Sequence, residues 1–125
     1  MKSVLKSISS LIFVEILFAL LITESFAAAS YKIEIKHLLN YVKNTKCLYE
    51  RNGDLYNGVD AHKHISKKYK YFKDDIHTAE DFIRLSATQS TVSGRKYHIV
   101  CPDKKRVESV KWLLKELHKY RSITH

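Results

Sequence analysis

The chain has 125 residues and a net charge of +9, because 22 lysines and arginines stand against 13 acidic residues. This length leaves room for one small domain and excludes a multidomain architecture. The charge favours encounter with anionic partners such as phospholipid headgroups, nucleic acid or acidic polysaccharide, and it carries no information about the fold.

The beginning of the chain has the parts of an export signal. Lys2 and Lys6 form a short positive region, residues 4–22 are largely apolar, and small residues follow. We therefore predict cleavage after one of residues 27–29. A membrane anchor is the alternative, but Glu15 interrupts the apolar run and leaves a segment far shorter than the roughly 20 residues that a span requires.

Residues 30–125 form the predicted exported domain, periplasmic or secreted. The whole net charge falls within it, because the signal holds two lysines and two glutamates. Both cysteines of the chain, Cys47 and Cys101, lie in this part, where an oxidising compartment lets thiols pair. We predict a disulfide between them, which the chain-entropy model values at roughly 4 kcal/mol. Two buried free thiols are the alternative.

The first half of the domain predicts a helix followed by a hairpin. Apolar residues at helical spacing predict a helix over residues 31–44. Residues 47–51 are typical of a short strand, and Asn52-Gly53 suits a two-residue turn into a return strand at residues 55–56. We expect Asp60 to cap the helix that follows.

That helix, residues 61–73, has three distinct faces. The apolar stripe is Ile65, Tyr69 and Phe72. The outward basic stripe is Lys63, Lys67 and Lys70. A third row, His64, Lys68 and Tyr71, flanks the apolar stripe, where polar tips can reach a groove while their stems pack. This row is the candidate site, and a helix with a solvated basic face is the alternative.

A third helix and a loop follow. Thr78 and Asp81 match the capping-box pattern and predict a helix that ends near Gln89. In the next loop Gly94 can take a left-handed conformation, so that backbone amides cradle a phosphate with help from neighbouring hydroxyl and cationic groups. The loop residues assigned to this anion site are Ser93, Gly94, Arg95 and Lys96. An ordinary hairpin loop is the alternative.

The last segment predicts a strand and a helix. Alternation over residues 97–101 indicates a strand that pairs with the one at Cys47. A helix over residues 104–121 is predicted to bury Val107, Val110, Leu114 and Leu117, with Leu113 and Tyr120 widening the stripe. Trp112 falls away from this stripe among lysines, where an exposed indole suits a membrane interface or stacking on a base. Packing on another element is the alternative. The predicted membrane or polyanion surface comprises Lys63, Lys67, Lys70, Lys111, Trp112, Lys115 and Lys119.

Several motifs together resemble the YfeK-like family of small exported bacterial proteins, a domain of unknown function. The motifs are Arg51-Asn52-Gly53, Ala61-x-x-His64, Lys68-Tyr69, Ile76-x-Thr78-Ala79-Glu80-x-Phe82-Ile83 and Ser90-x-x-Ser93-Gly94-x-x-Tyr97. The resemblance spans residues 33–121 and implies export and a shared fold, without an activity to carry over. It singles out as polar motif positions Arg51, Asn52, His64, Lys68, Glu80, Ser90, Ser93, Gly94 and Tyr97.

The expected fold is α+β, with about four helices packed on a minimal antiparallel sheet that the disulfide staples. The expected function is non-enzymatic recognition of an anionic partner outside the cytoplasm. The first hypothesis for this partner is phosphorylated, phosphoinositide-like lipid headgroups at a membrane surface, because an exported protein meets lipid readily. The protein would act as a secreted effector if the exporting bacterium lives with a host. Nucleic acid is the second hypothesis, and a structural envelope component is the third.

We expect Arg51, His64 and Lys68 to gather beside the Ser93-Gly94 loop, where they either bind a small anion or hold the loop in place. A small hydrolase using His64 and Glu80 is the enzymatic alternative, but no nucleophile motif accompanies the pair. We expect no cofactor and no metal, since His62 and His64 point apart on a helix and cannot converge on one ion. A monomer is assumed.

Overall fold

The computed structural model describes residues 2–124, with side chains described at 10–20 and 30–124. The chain divides into two compact units between Ser30 and Tyr31. In the first unit, the side chains described between residues 10 and 20 are all exposed. Within the described part of the chain, no helix has the length and apolarity needed to cross a membrane. The predicted cleavage after one of residues 27–29 falls outside the described side chains and stays a prediction.

Helices and a small sheet make up the second unit. Helix α1 covers Lys2–Asn44, so its last part belongs to this unit. The elements that follow are β1 (Leu48–Arg51), β2 (Asp54–Tyr56), α2 (Gly58–Phe72), a 3-10 helix (Lys73–Asp75), α3 (Ala79–Ser86), β3 (His98–Val100), β4 (Val107–Glu108) and α4 (Ser109–Thr124). The strands form one antiparallel sheet in the order β2-β1-β3-β4. The predicted α+β class is therefore confirmed.

The β1–β2 hairpin has the predicted two-residue turn. Asn52 and Gly53 both have positive φ, 52° and 88°, as a type I′ turn requires. The turn sets a register in which Tyr49 lies opposite Tyr56 on one side and Ile99 on the other. Tyr49 is consequently buried at the centre of the inner sheet face, and its hydroxyl donates to the Ala87 carbonyl at 2.8 Å.

The helices pack their apolar residues on this inner face. The largest buried contributions of the helices are Ile35, Leu38, Val42, Ile65, Phe82, Ile83, Leu113 and Leu117. The predicted disulfide is confirmed, with Cys47 bonded to Cys101 and 4.2 Å between their Cα atoms. It joins the start of β1 to the end of β3, so the two central strands are linked by covalent bonds as well as by hydrogen bonds.

Helix α2 begins earlier than predicted. Asn57 is its N-cap, and its side chain accepts a hydrogen bond from the Asp60 amide at 2.9 Å, so the predicted cap at Asp60 is wrong. The cause is tertiary: Gly58 lies directly against the backbone carbonyls of Val42 and Lys43, where a side chain would not fit. Close contact with α1 thus fixes the first turn of α2. The next helix, α3, ends at Ser86 rather than near Gln89.

Helix α4 begins later than predicted. The chain turns after Cys101, where Asp103 has a φ of 55°, and then adds β4 to the sheet edge with Val107 opposite Ile99. An irregular segment at residues 104–106 and the strand at residues 107–108 therefore replace the predicted start of this helix. The buried positions of α4 are Ser109, Leu113 and Leu117. The predicted burial of Leu113 and Leu117 is confirmed, whereas Val110 and Leu114 are half-buried and Val107 is exposed.

Candidate anion-binding site

Four side chains from three elements meet beside the hairpin, and we call them the motif cluster: Arg51, His64, Lys68 and Tyr97. Arg51 ends β1, and the two-residue turn beyond it holds the strand end in place. His64 and Lys68 are four residues apart on α2 and therefore lie on the same face of the helix. Tyr97 directly precedes β3, which pairs with β1. The fold therefore brings Arg51, His64 and Lys68 together, as predicted.

A chain of hydrogen bonds fixes the state of the imidazole. Arg51 Nη1 contacts His64 Nδ1, and His64 Nε2 lies 3.1 Å from the Tyr97 hydroxyl. A guanidinium can only donate, so Nδ1 must accept and the neutral ring carries its proton on Nε2, which donates to Tyr97. Arg51 Nη2 also donates to the hydroxyl of Tyr56 at 3.3 Å. The Tyr97 O–H and several N–H groups remain for a ligand.

The electrostatics of the cluster keep this imidazole neutral. Burial lowers the pKa of His64 to about 4, and the positive charges of Arg51, Lys68 and Lys67 add to the effect. Burial, followed by the charge of Arg51, also lowers the pKa of Lys68. Lys68 Nζ donates to the Gln89 carbonyl at 2.6 Å and lies 5.3 Å from the Tyr97 ring centroid. Two cations therefore share a half-buried site with an uncharged ring.

These cations lack carboxylate partners. None of the ion pairs found among residues 30–124 involves Arg51, Lys67 or Lys68. Other arginines of the domain do have such partners: Arg106 binds Glu50, and Arg121 binds Glu34 and Glu80. Within residues 30–124, the motif cluster thus offers hydrogen-bond donors and positive charge without the carboxylate partner that Arg84, Arg106 and Arg121 have.

Two cavities open on the cluster. Their volumes are about 340 Å³ and about 680 Å³, and both are lined by Arg51, His64 and Lys67. The larger one is also lined by Tyr71 and Val92, which are 80% and 99% exposed. Cationic donors therefore lie beside exposed apolar and aromatic side chains within a single concave surface.

The glycine loop positions the cluster and does not form an anion nest. Gly94 has the predicted positive φ of 71°, but its amide donates to the Ser90 carbonyl at 2.9 Å. The Ser93 amide donates to Ser90 Oγ, and the Arg95 amide donates to Ser93 Oγ. These amides already have partners, so the alternative of an ordinary hairpin loop is correct. Ser93 Oγ donates to Asn52 Oδ1 at 2.8 Å and ties the loop to the β1–β2 turn.

Other predicted site residues lie apart from the cluster. Glu80 binds Arg121 with an oxygen–nitrogen distance of 2.6 Å and is not a partner of His64, so the proposed His64–Glu80 pair is wrong. Lys96 forms an ion pair with Glu108 at 3.5 Å. Tyr56 was missed as a member of the site, although the Asn52-Gly53 turn contains the signal: its register puts Tyr56 diagonal to Arg51 on the same sheet face.

The predicted outward lysines are exposed, whereas the predicted exposed tryptophan is not. Lys63, Lys67 and Lys70 on α2 and Lys111, Lys115 and Lys119 on α4 are all exposed. Trp112 is half-buried, and its ring packs in a tilted arrangement against Tyr41 with 4.4 Å between centroids. The alternative, packing on another element, is therefore correct. Trp112 cannot serve as a freely projecting membrane anchor.

The comparison with known proteins agrees with the extent of this domain. The model of a family of unknown function, DUF5329, matches residues 29–121. No curated protein and no solved structure matches the chain. The matched range contains every residue of the motif cluster and both cysteines of the disulfide. The chain therefore belongs to DUF5329, a family of unknown function.

Proposed function

We propose that this protein binds a phosphorylated lipid headgroup at the motif cluster. The observation that carries the proposal is the pair of half-buried cations, Arg51 and Lys68, which lie around a neutral imidazole without a carboxylate partner. Removing charge from water is unfavourable unless it is paired. An anion bound between these groups would supply the missing partner, and its binding would be strengthened by the low local dielectric.

The chemistry of the donors favours a phosphate group. A guanidinium presents a planar fork that matches phosphate oxygens, and two of its five N–H groups are taken by His64 and Tyr56. Lys68 has two N–H groups left beyond its bond to Gln89, and within residues 30–124 no acceptor is found for the Tyr97 O–H. A phosphate monoester, which carries nearly two negative charges and three acceptor oxygens, can use all three donors.

The surroundings of the donors favour a lipid over a free anion. Tyr71 and Val92 are exposed beside the cationic floor, where they would contact the acyl and glycerol region while the phosphate lies deeper. Tyrosine suits this boundary because one end of its side chain is apolar and the other is wet. The exposed lysines of α2 would add attraction to an anionic surface.

This function carries two finer predictions with it. The first is export through cleavage after one of residues 27–29, which would bring the domain to a membrane surface outside the cytoplasm. The second is membership of the YfeK-like family, based on the motif spacing. The Cys47–Cys101 disulfide is compatible with an oxidising compartment.

Vesicle sedimentation tests the proposal. The probes are phosphatidylcholine vesicles containing a phosphatidylinositol monophosphate, or phosphatidylserine at matched surface charge. We expect preferential binding to the phosphoinositide and a loss of about tenfold or more for Lys68→Gln, since a hydrogen bond to a charged group contributes about 1.5–3 kcal/mol. Lys36→Gln, an exposed substitution on α1, is the control and should bind as the parent does.

Two outcomes contradict the proposal. The first is equal binding to both vesicle types, which would indicate general attraction to surface charge. The second is an unchanged affinity in Lys68→Gln. A parallel shift assay with a single-stranded oligonucleotide separates the second hypothesis: oligonucleotide binding that depends on Lys68 and exceeds lipid binding would replace lipid with nucleic acid.

A further inference from the structure

A second concave surface lies between α4 and the segment that follows the disulfide. It has a volume of about 650 Å³, and we call it the α4 groove. Its basic lining comprises Lys104, Lys105, Lys111, Lys115 and Lys119. Its apolar lining includes Tyr41, Ile99, Val107 and Trp112. None of these residues belongs to the motif cluster, so an inference about the groove does not rest on the proposed function.

The lysines of the groove are largely without partners. Those on α4 recur every four residues, which places them along one helix face about 6 Å apart. Lys111 contacts Glu108 at 3.8 Å, while no ion pair found among residues 30–124 includes the other four lysines of the groove. The acidic residue in the lining, Glu116, is bound to His37 at 2.8 Å. The groove therefore presents net positive charge.

Two groups of residues form the apolar part of the groove, the Tyr41–Trp112 ring pair and the sheet residues Val107 and Ile99. Trp112 and Tyr41 pack against each other in a tilted arrangement with an interplanar angle of 30°, so each ring is partly covered by the other. Val107, on the edge strand β4, is 40% exposed, and Ile99 lies opposite it in the sheet. Together they form a largely aliphatic and aromatic wall below charged side chains, with part of that apolar surface open to solvent.

We infer that the α4 groove binds an acidic peptide segment of a partner protein, with its carboxylates on the lysines and its apolar side chains on the wall formed by Trp112 and Val107. Carboxylates four residues apart on a helix repeat at the same spacing, about 6 Å, as the α4 lysines. A flat bilayer does not reach the floor of a concave groove. Nucleic acid is the competing occupant, but the aliphatic part of the wall suits the apolar side chains of a peptide better than it suits bases.

The position of the tryptophan makes the groove directly observable. Trp112 is the only tryptophan of the chain, so the intrinsic tryptophan fluorescence of the protein reports on this wall. The probe is a synthetic helical peptide of leucine and glutamate with glutamates four residues apart, and a lysine–leucine peptide of the same pattern is its control. We expect saturable binding of the glutamate peptide that shifts the tryptophan emission, and no binding of the lysine peptide.

Two triple variants separate a specific groove from general charge. Lys111→Gln combined with Lys115→Gln and Lys119→Gln should weaken peptide binding at least tenfold, because three carboxylate contacts are lost. The control carries the same charge change at exposed positions outside the groove, Lys32→Gln, Lys36→Gln and Lys73→Gln, and should bind within about twofold of the parent. Since all six side chains are exposed, circular dichroism should be the same for both variants.

The inference is overturned by any of three results. These are no change in tryptophan emission on adding the glutamate peptide, peptide binding by the groove variant as tight as that of its control, and tighter binding of a single-stranded oligonucleotide than of the peptide at this groove. In the last case the groove would be a nucleic-acid site. These results leave the lipid proposal unaffected, because the vesicle experiment depends on Lys68.

Discussion

Acidification should destabilise the domain through one histidine. His64 is held neutral in the folded protein, where burial and the neighbouring cations lower its pKa from 6.5 to about 4. The unfolded chain therefore binds a proton at His64 before the folded protein does. The resulting stability is fully present above about pH 6.5, is lost as the pH falls from there towards the folded pKa, and changes no further below it.

The structure sets the size of the loss. One pKa unit corresponds to about 1.4 kcal/mol, so the full shift has an upper bound of about 3 kcal/mol. The imidazole is only half-buried, and solvent screening reduces this bound. We therefore expect the free energy of unfolding to fall by about 1–2 kcal/mol between roughly pH 7 and pH 5 because of His64.

Urea unfolding of the parent and of His64→Gln measures this contribution. Glutamine can accept from Arg51 and donate to Tyr97 but does not titrate, so the variant should lose less stability over the same range. The comparison is necessary because burial also lowers the pKa of His62. Glu50, Glu80 and Asp81 have lowered pKa values and contribute below about pH 4.5, outside the range used. Identical pH profiles for parent and variant would refute the electrostatic description of the cluster.

Two further predictions concern the fold. Cys47→Ser removes the covalent link between β1 and β3. For a loop of 54 residues the chain-entropy model predicts that the free energy of unfolding falls by about 4 kcal/mol and Tm by at least about 15 °C. Two reactive thiols in the unreduced, denatured parent would contradict the disulfide. Gly58→Ala introduces a Cβ that overlaps the Val42 carbonyl oxygen and lies 2.9 Å from the Lys43 carbonyl oxygen. We expect urea unfolding to show a free energy of unfolding lower by about 1–3 kcal/mol. Unchanged stability would show that α1 and α2 can separate without cost.

Local chemistry explains which parts of the fold were predictable from sequence. The Asn52-Gly53 dipeptide and the alternation on either side of it determine the hairpin, because few other residues tolerate two successive positive φ values. The disulfide was predictable because the chain contains two cysteines, which allow one intramolecular pairing. The cap of α2 was not predictable, since Asn57 is selected by the contact of Gly58 with a distant carbonyl.

Long-range contacts explain the other errors. The β4 strand contains two residues, Val107 and Glu108, and only its pairing with β3 distinguishes it from the first turn of α4. Helical spacing correctly placed Trp112 off the predicted buried stripe, but it could not reveal that Tyr41 covers the indole. Each case depends on an element far away in the sequence.

The site residues also divide into those that local sequence patterns could predict and those that depend on long-range contacts. His64 and Lys68 were predictable as neighbours on a helix face, and the resemblance added Arg51 and Tyr97 as motif positions. The bond between Glu80 and Arg121 was not predictable, because Arg121 lies in α4 and 41 residues further along the chain. The internal hydrogen bonds of the glycine loop likewise emerge only when its backbone is folded.

The most direct test of the central claim is an NMR titration of the parent with a short-chain phosphatidylinositol monophosphate below its micelle concentration. We expect saturable shifts at the amides of Gln89 and Val92 and at the ring of His64, together with a raised pKa of His64 because the bound anion favours its charged form. The same titration of Lys68→Gln should give much weaker shifts. Shifts confined to the α4 groove, or a His64 pKa that the ligand leaves unchanged, would contradict the account.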